Sequence, residues 1–127
     1  MRTMSCSLLA LAAIAATAHA DATVIENSKT LTIDCAKDKE VNLIGNHLKV
    51  TLTGTCTKVM VTGNHEQVRG AATLFYVAGN NNTVTADATD EIYLAGNKNT
   101  VTWKKGLTKA SPKISNPGKD NAVSQAR

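Results

Sequence analysis

A chain of 127 residues and 13.4 kDa has room for one small domain and none for a nucleotide-binding α/β domain. Its 14 basic and 10 acidic residues give a formal charge of +4, too mild a bias to argue for nucleic-acid binding. Thr, Asn and Val supply 36 of the 107 residues after Ala20, and Phe, Tyr and Trp only four. That balance opposes both a helical bundle and a conventional large β-sandwich core.

The chain opens like an export signal. Arg2 is a thin positive start, Leu8 to Ala16 form an apolar stretch, and Ala18-His19-Ala20 put small residues at the cleavage position. Residues 1–20 are therefore expected to be removed, with Asp21 beginning the mature protein. The apolar stretch falls well short of the roughly 20 residues a span requires, so no integral membrane protein is expected after cleavage. The expected location is periplasmic or secreted. Cys6 leaves with the signal, and the two cysteines that remain, Cys35 and Cys56, are an even pair in an exported chain, which suggests a disulfide. Closing a loop of about 20 residues, it would add about 3 kcal/mol in the chain-entropy model. Residues 21–40, carrying Cys35, are expected to cap one end of the domain.

From residue 41 to residue 106 the chain repeats itself. VNLIGNHLKV from Val41, VMVTGNHEQV from Val59, FYVAGNNNTV from Phe75 and IYLAGNKNTV from Ile92 align without gaps. Gly45, Gly63, Gly79 and Gly96 are spaced 18, 16 and 17 residues apart, each followed by an asparagine (Asn46, Asn64, Asn80, Asn97). Apolar residues stand four and two positions before each glycine, and Val50, Val68, Val84 and Val101 five positions after it. Weaker copies flank these, around Asn27 and around Gly118. The alternation within a copy is that of a half-buried strand, and Gly-Asn sits between two such runs, where the chain must turn. The glycines are therefore expected at tight corners, at or near positive φ, with the following asparagine serving neighbouring backbone groups.

Two assemblies fit a strand–corner–strand–corner copy. A parallel β-solenoid of about five coils, 16–18 residues each, would stack equivalent residues at about 4.8 Å. An antiparallel β-meander would make each Gly-Asn a hairpin tip, although two-residue hairpins prefer Asn-Gly. Recurrent asparagine favours the solenoid, because identical amides can bond in a ladder along the axis. Residues 107–127, lysine-rich with Pro112 and Pro117, read as a C-terminal cap or polar tail.

The signal, the short length and the Gly-Asn-x-Asn-x-Val copies together resemble the bacterial secreted proteins grouped as the domain of unknown function 3060 family. Copies from Gly79 and Gly96 carry the full pattern, with Asn82 and Asn99 as second asparagines, whereas Leu48 and Glu66 replace them in the two earlier copies. The resemblance implies a periplasmic or extracellular β-rich protein and brings no catalytic residues with it.

Little in the chain points to chemistry. The acids of the repeats, Glu66, Asp87, Asp90 and Glu91, lie at unlike positions in their copies, so no pair is forced onto one face as glycoside chemistry needs. Gly-x-Ser-x-Gly, His-Glu-x-x-His and a phosphate-binding glycine loop are all missing from the sequence. Neither catalysis nor a cofactor is expected. His47 and His65, both two residues after a repeat glycine, would stack on adjacent coils and are the metal-ligand candidates, with Glu66 next in sequence as a further contributor. Two ligands fall short of a stable site, and the same position holds Asn81 and Lys98 in the other copies, which reads as an exposed corner. Tyr76 and Tyr93, three residues before their glycines, should point outward and stack, a candidate platform for a sugar ring or a partner protein. The expected function is that of an exported, non-catalytic structural or interaction module. Cell-envelope proteins or glycans are its candidate partners, and nucleic acid is not among them.

Overall fold

The computed structural model describes residues 20–126 and contains nine strands there: β1 Ala20–Asn27, β2 Thr30–Asp34, β3 Asp38–Asn46, β4 Lys49–Asn64, β5 Gln67–Val77, β6 Thr83–Leu94, β7 Thr100–Trp103, β8 Lys113–Ser115 and β9 Ala122–Gln125. Residues 1–19, and with them all but the last residue of the expected export signal, lie outside the described part.

Every pairing is parallel. The three long strands explain why. β4 pairs β2 through Lys49–Thr53 and β3 through its residues 58–64, so it leaves one side of the molecule, rounds a corner and enters the other. β5 and β6 do the same one coil later each. Gly45 lies beside Gly63 and Val50 beside Val68, with the copies in register along the axis. The chain is thus a β-solenoid, and no Gly-Asn pair is a hairpin tip. It has six turns rather than about five, because residues 20–34 form a coil before the repeats and residues 113–125 another after them. Five steps between six coils make a rod roughly 25 Å long.

The core is a set of stacked columns. Val41, Val59, Phe75 and Ile92 form one, Leu43, Val61, Val77 and Leu94 the next, and Val50, Val68, Val84 and Val101 face them from the other side. All are buried, at about 1.5–3 kcal/mol of transfer free energy each. Their side chains alternate with outward ones along each strand, as the two-residue period requires. Cys35 and Cys56, both fully buried, are joined in a disulfide with their Cα atoms 4.8 Å apart, tying the first coil to the second.

Candidate functional site

Four columns meet at the corner where each Gly-Asn pair stands. The first is the glycine column. Sequence reasoning expects positive φ at Gly45, Gly63, Gly79 and Gly96, and the structure corrects this: among glycines only Gly54 and Gly70 have it. The repeat glycines are required by close approach instead. A Cβ on Gly45 would stand 1.8 Å from the Glu26 carbonyl oxygen in the coil before, and one on Gly79 1.6 Å from that of Gly63. The backbones of successive coils touch here, and only hydrogen fits between them.

The second column carries the positive φ. Ser28, His47, His65, Asn81, Lys98 and Asp120, one per coil, all lie at φ 55–58°. This left-handed residue makes the bend. It also breaks the two-residue alternation, which is why the inward positions run two and four before the glycine but three and five after it.

The third column is the repeat asparagines, and it faces outward. Asn64 Nδ2 donates to Asn46 Oδ1 at 3.1 Å, and Asn80 Nδ2 to Asn64 Oδ1 at 3.3 Å. From there the backbone N–H of Asn97 donates to Asn80 Oδ1. Asn46, Asn80 and Asn97 are exposed.

The fourth column points into the core: Leu48, Glu66, Asn82, Asn99 and Asn121. Each asparagine closes two bonds to the coil before. Asn82 accepts from the Glu66 N–H at 2.9 Å and donates to the Gly63 carbonyl at 3.0 Å. Asn99 and Asn121 repeat the pattern on Asn82 and Gly79, and on Asn99 and Gly96. Glu66 does not. It is fully buried, its Oε1 lies beside Gly63 where Asn82 sets its amide nitrogen beside Gly79, and both its carboxyl oxygens lack a hydrogen-bond partner. Burial pushes its pKa up from 4.5 to about 7. An internal Glu66 is no ligand for a metal held at the surface histidines beside it.

His47 and His65 do stack, with ring centroids 5.0 Å apart and planes 4° from parallel, and both are exposed. Among the described residues no group of three or more His, Cys, Asp or Glu side chains gathers as a metal site would need.

On the flat side, Tyr76 and Tyr93 pair in register and stack with centroids 4.9 Å apart and planes 8° from parallel. Their neighbours, Phe75 and Val77 beside Tyr76 and Ile92 and Leu94 beside Tyr93, turn inward, leaving both rings half-exposed. Met60 continues the column toward the first coil, and Leu74 lies alongside it; both are half-exposed. On the opposite side Thr51, Gln67, Arg69, Thr83 and Thr85 line a shallow depression of about 290 Å³.

Two acids named in the sequence have structural duties. Asp90 is buried and accepts from the backbone N–H groups of Leu107, Thr108 and Lys109 and from Thr108 Oγ1 at 2.6 Å. The bonds from Thr108 hold its carboxyl below the usual range, against the opposing effect of burial. It thereby clasps the loop that leads into the last coil. Asp87 pairs with Lys104 at 3.0 Å and Arg69 at 3.7 Å in the open. Sequence reasoning missed the inward turn of Glu66 and the clasp of Asp90. A signal for the first existed, since Glu66 aligns with Leu48, Asn82 and Asn99, a position filled by apolar or amide residues in the other three full copies.

Neither the curated proteins nor the solved structures contain a match to this chain. The glycine column, the two asparagine columns and the valines after them recur through the segment that a family model does recognise. From residue 67 to residue 120 the chain matches the family described as "Protein of unknown function (DUF3060)", the family its Gly-Asn copies resemble.

Proposed function

We propose that this chain is an exported, non-catalytic interaction module of the bacterial periplasm or cell envelope, its first 20 residues a cleaved signal. The Cys35–Cys56 pair supports the oxidising address, and the apolar stretch and small residues before Asp21 support the signal. Expression with the native N-terminus, followed by intact-mass measurement with and without reductant, tests both. The expected product begins at Asp21 and gains two hydrogens on reduction. Retention of residues 1–20, or a free thiol at Cys56, would sink the reading.

A second reading concerns what is bound, and one observation favours it. The stacked Tyr76–Tyr93 pair, flanked by Met60 and Leu74, is an aromatic strip on the flat side of the rod. Aromatic faces of this kind hold the apolar face of a sugar ring or the side chains of a partner. The strip binds an envelope glycan or protein. A surface-glycan array probed with the parent and with Tyr76→Ala/Tyr93→Ala tests the glycan arm. Saturable binding lost in the double variant carries it, and binding that survives the double variant removes the strip from the site.

A further inference from the structure

The first coil of the rod differs from the coils after it at one corner position. In every coil after the first, the corner residue that approaches the preceding coil is glycine: Gly45, Gly63, Gly79, Gly96 and Gly118. A Cβ at any of them would stand 1.6–1.9 Å from a backbone oxygen of the coil before. In the first coil the same position, paired with Gly45, holds Glu26. A further coil laid on that end would bring its own carbonyl oxygen onto the Glu26 Cβ, a clash of backbone against Cβ that no rotamer relieves.

Apart from that position the ends match. Following the register coil by coil, the last coil of a second copy would set Lys113 over Asp21, Ile114 over Ala22 and Val123 over Leu31. Ile114 is 44% exposed although its column is buried in the four coils before it, and Ala22, Leu31 and Val123 are only partly covered. The charges oppose as well. Residues 21–40 hold five carboxylates against three lysines, and residues 104–126 five lysines against Asp120 alone. Apolar columns, unpaired strand edges and opposite charge are what a head-to-tail contact uses, and such a contact does not close on itself but runs on into a filament.

We propose that Glu26 is a stop residue: its Cβ bars the last coil of a second copy from stacking on the first coil, a contact for which the two ends are otherwise matched in register and charge. The surface concerned is the one left after residues 1–20 are removed, so the proposal rests to that extent on the export reading, and intact mass reports the N-terminus of each sample separately from its association.

The test follows the mass of the exported chain across concentration, by light scattering and sedimentation at low and high salt. The parent and Glu26→Ala, which keeps the Cβ and loses the charge, should remain single chains. Glu26→Gly should grow with concentration into open-ended oligomers, more so at low salt. Adding Lys113→Glu should weaken that growth at least tenfold. A second variant, with residues 26–28 replaced by the Gly-Asn-Lys of residues 96–98, carries a corner already native to this chain and reads the same outcome with folding secured. The proposal is overturned if both glycine variants stay single, if Glu26→Ala associates as readily as Glu26→Gly, or if the parent already forms the filament.

Discussion

The outward and inward asparagine columns of the corner obey opposite rules. The outward one holds asparagine from Asn27 to Asn97 without a break, yet four of its five members are exposed. The inward one reads Leu48, Glu66, Asn82, Asn99, Asn121, and the first four are buried. Regularity along the rod therefore does not track burial. An exposed amide gains modestly from its ladder, since water competes for every bond. A buried one is answerable for a backbone N–H that nothing else reaches, and adds a second bond to a carbonyl that the next coil's backbone already meets. Leu48 is tolerated because the coil before it is the first, and the equivalent Lys29 is exposed. Glu66 has no such excuse.

The comparison breaks first at the glycine that both columns lean on. Gly79→Ala puts a Cβ against the Gly63 backbone and should cost about 3–5 kcal/mol, at the upper end for a single substitution, read from denaturant or thermal melts. Asn82→Leu should follow at about 2 kcal/mol, since the buried Glu66 N–H loses its partner, while the Gly63 carbonyl keeps only the Asn80 N–H. Asn80→Leu, in the outward column, should cost no more than about 1 kcal/mol. Equal losses at Asn80 and Asn82 would erase the distinction.

Glu66 sharpens it through pH. Its folded pKa, about 7, lies above its ordinary 4.5, so the folded state holds the proton more tightly than the unfolded one. The stability tied to this group is therefore whole below pH 4.5 and is lost as pH rises through 7. Glu66→Gln supplies an amide at the same column position, and should be more stable than the parent by about 2 kcal/mol at pH 8, with the difference shrinking toward pH 4.5. Melts at the two pH values measure it. A parent that gains stability between pH 5 and 8 relative to the variant would contradict the burial argument.

The smallest effect lies at the bend. Lys98 occupies the left-handed position at φ 56°, where a Cβ costs roughly 1–2 kcal/mol. Lys98→Gly should recover about 1 kcal/mol of that, net of added chain entropy in the unfolded state, and Asn81→Lys should be nearly neutral to slightly destabilising by the same melts.

The parallel solenoid was readable because its cause is local and repeated. Backbone contact between coils demands glycine at one position per coil, and that demand is printed at Gly45, Gly63, Gly79 and Gly96. The conformation of those glycines was not readable, since glycine serves both left-handed turns and close approach, and only three dimensions separate the two. The inward turn of Glu66, Asn82 and Asn99 escaped for a related reason: a left-handed residue at His65, Asn81 and Lys98 resets the alternation, so parity counted along one strand fails beyond the corner. The Tyr76–Tyr93 stack lies on a straight run and needed only the alternation. The clasp of Asp90 joins residues 17–19 positions apart through an irregular loop, with no periodicity to announce it.

The Cys35–Cys56 bond gives the molecule a direction of failure. In a stack where each coil touches only its neighbours, melting starts at an end and travels inward. One end is covalently held to the coil beneath it. The other is anchored by two short strands and by the hydrogen bonds that Asp90 makes to the loop before them. Amide protons should consequently exchange fastest in Ala122–Gln125, more slowly in Thr100–Trp103, and slowest near Val59 and Phe75, a gradient running along the rod from its carboxyl end. Reduction of the cystine would give that gradient a mirror image at the other end, leaving a chain that frays from both sides.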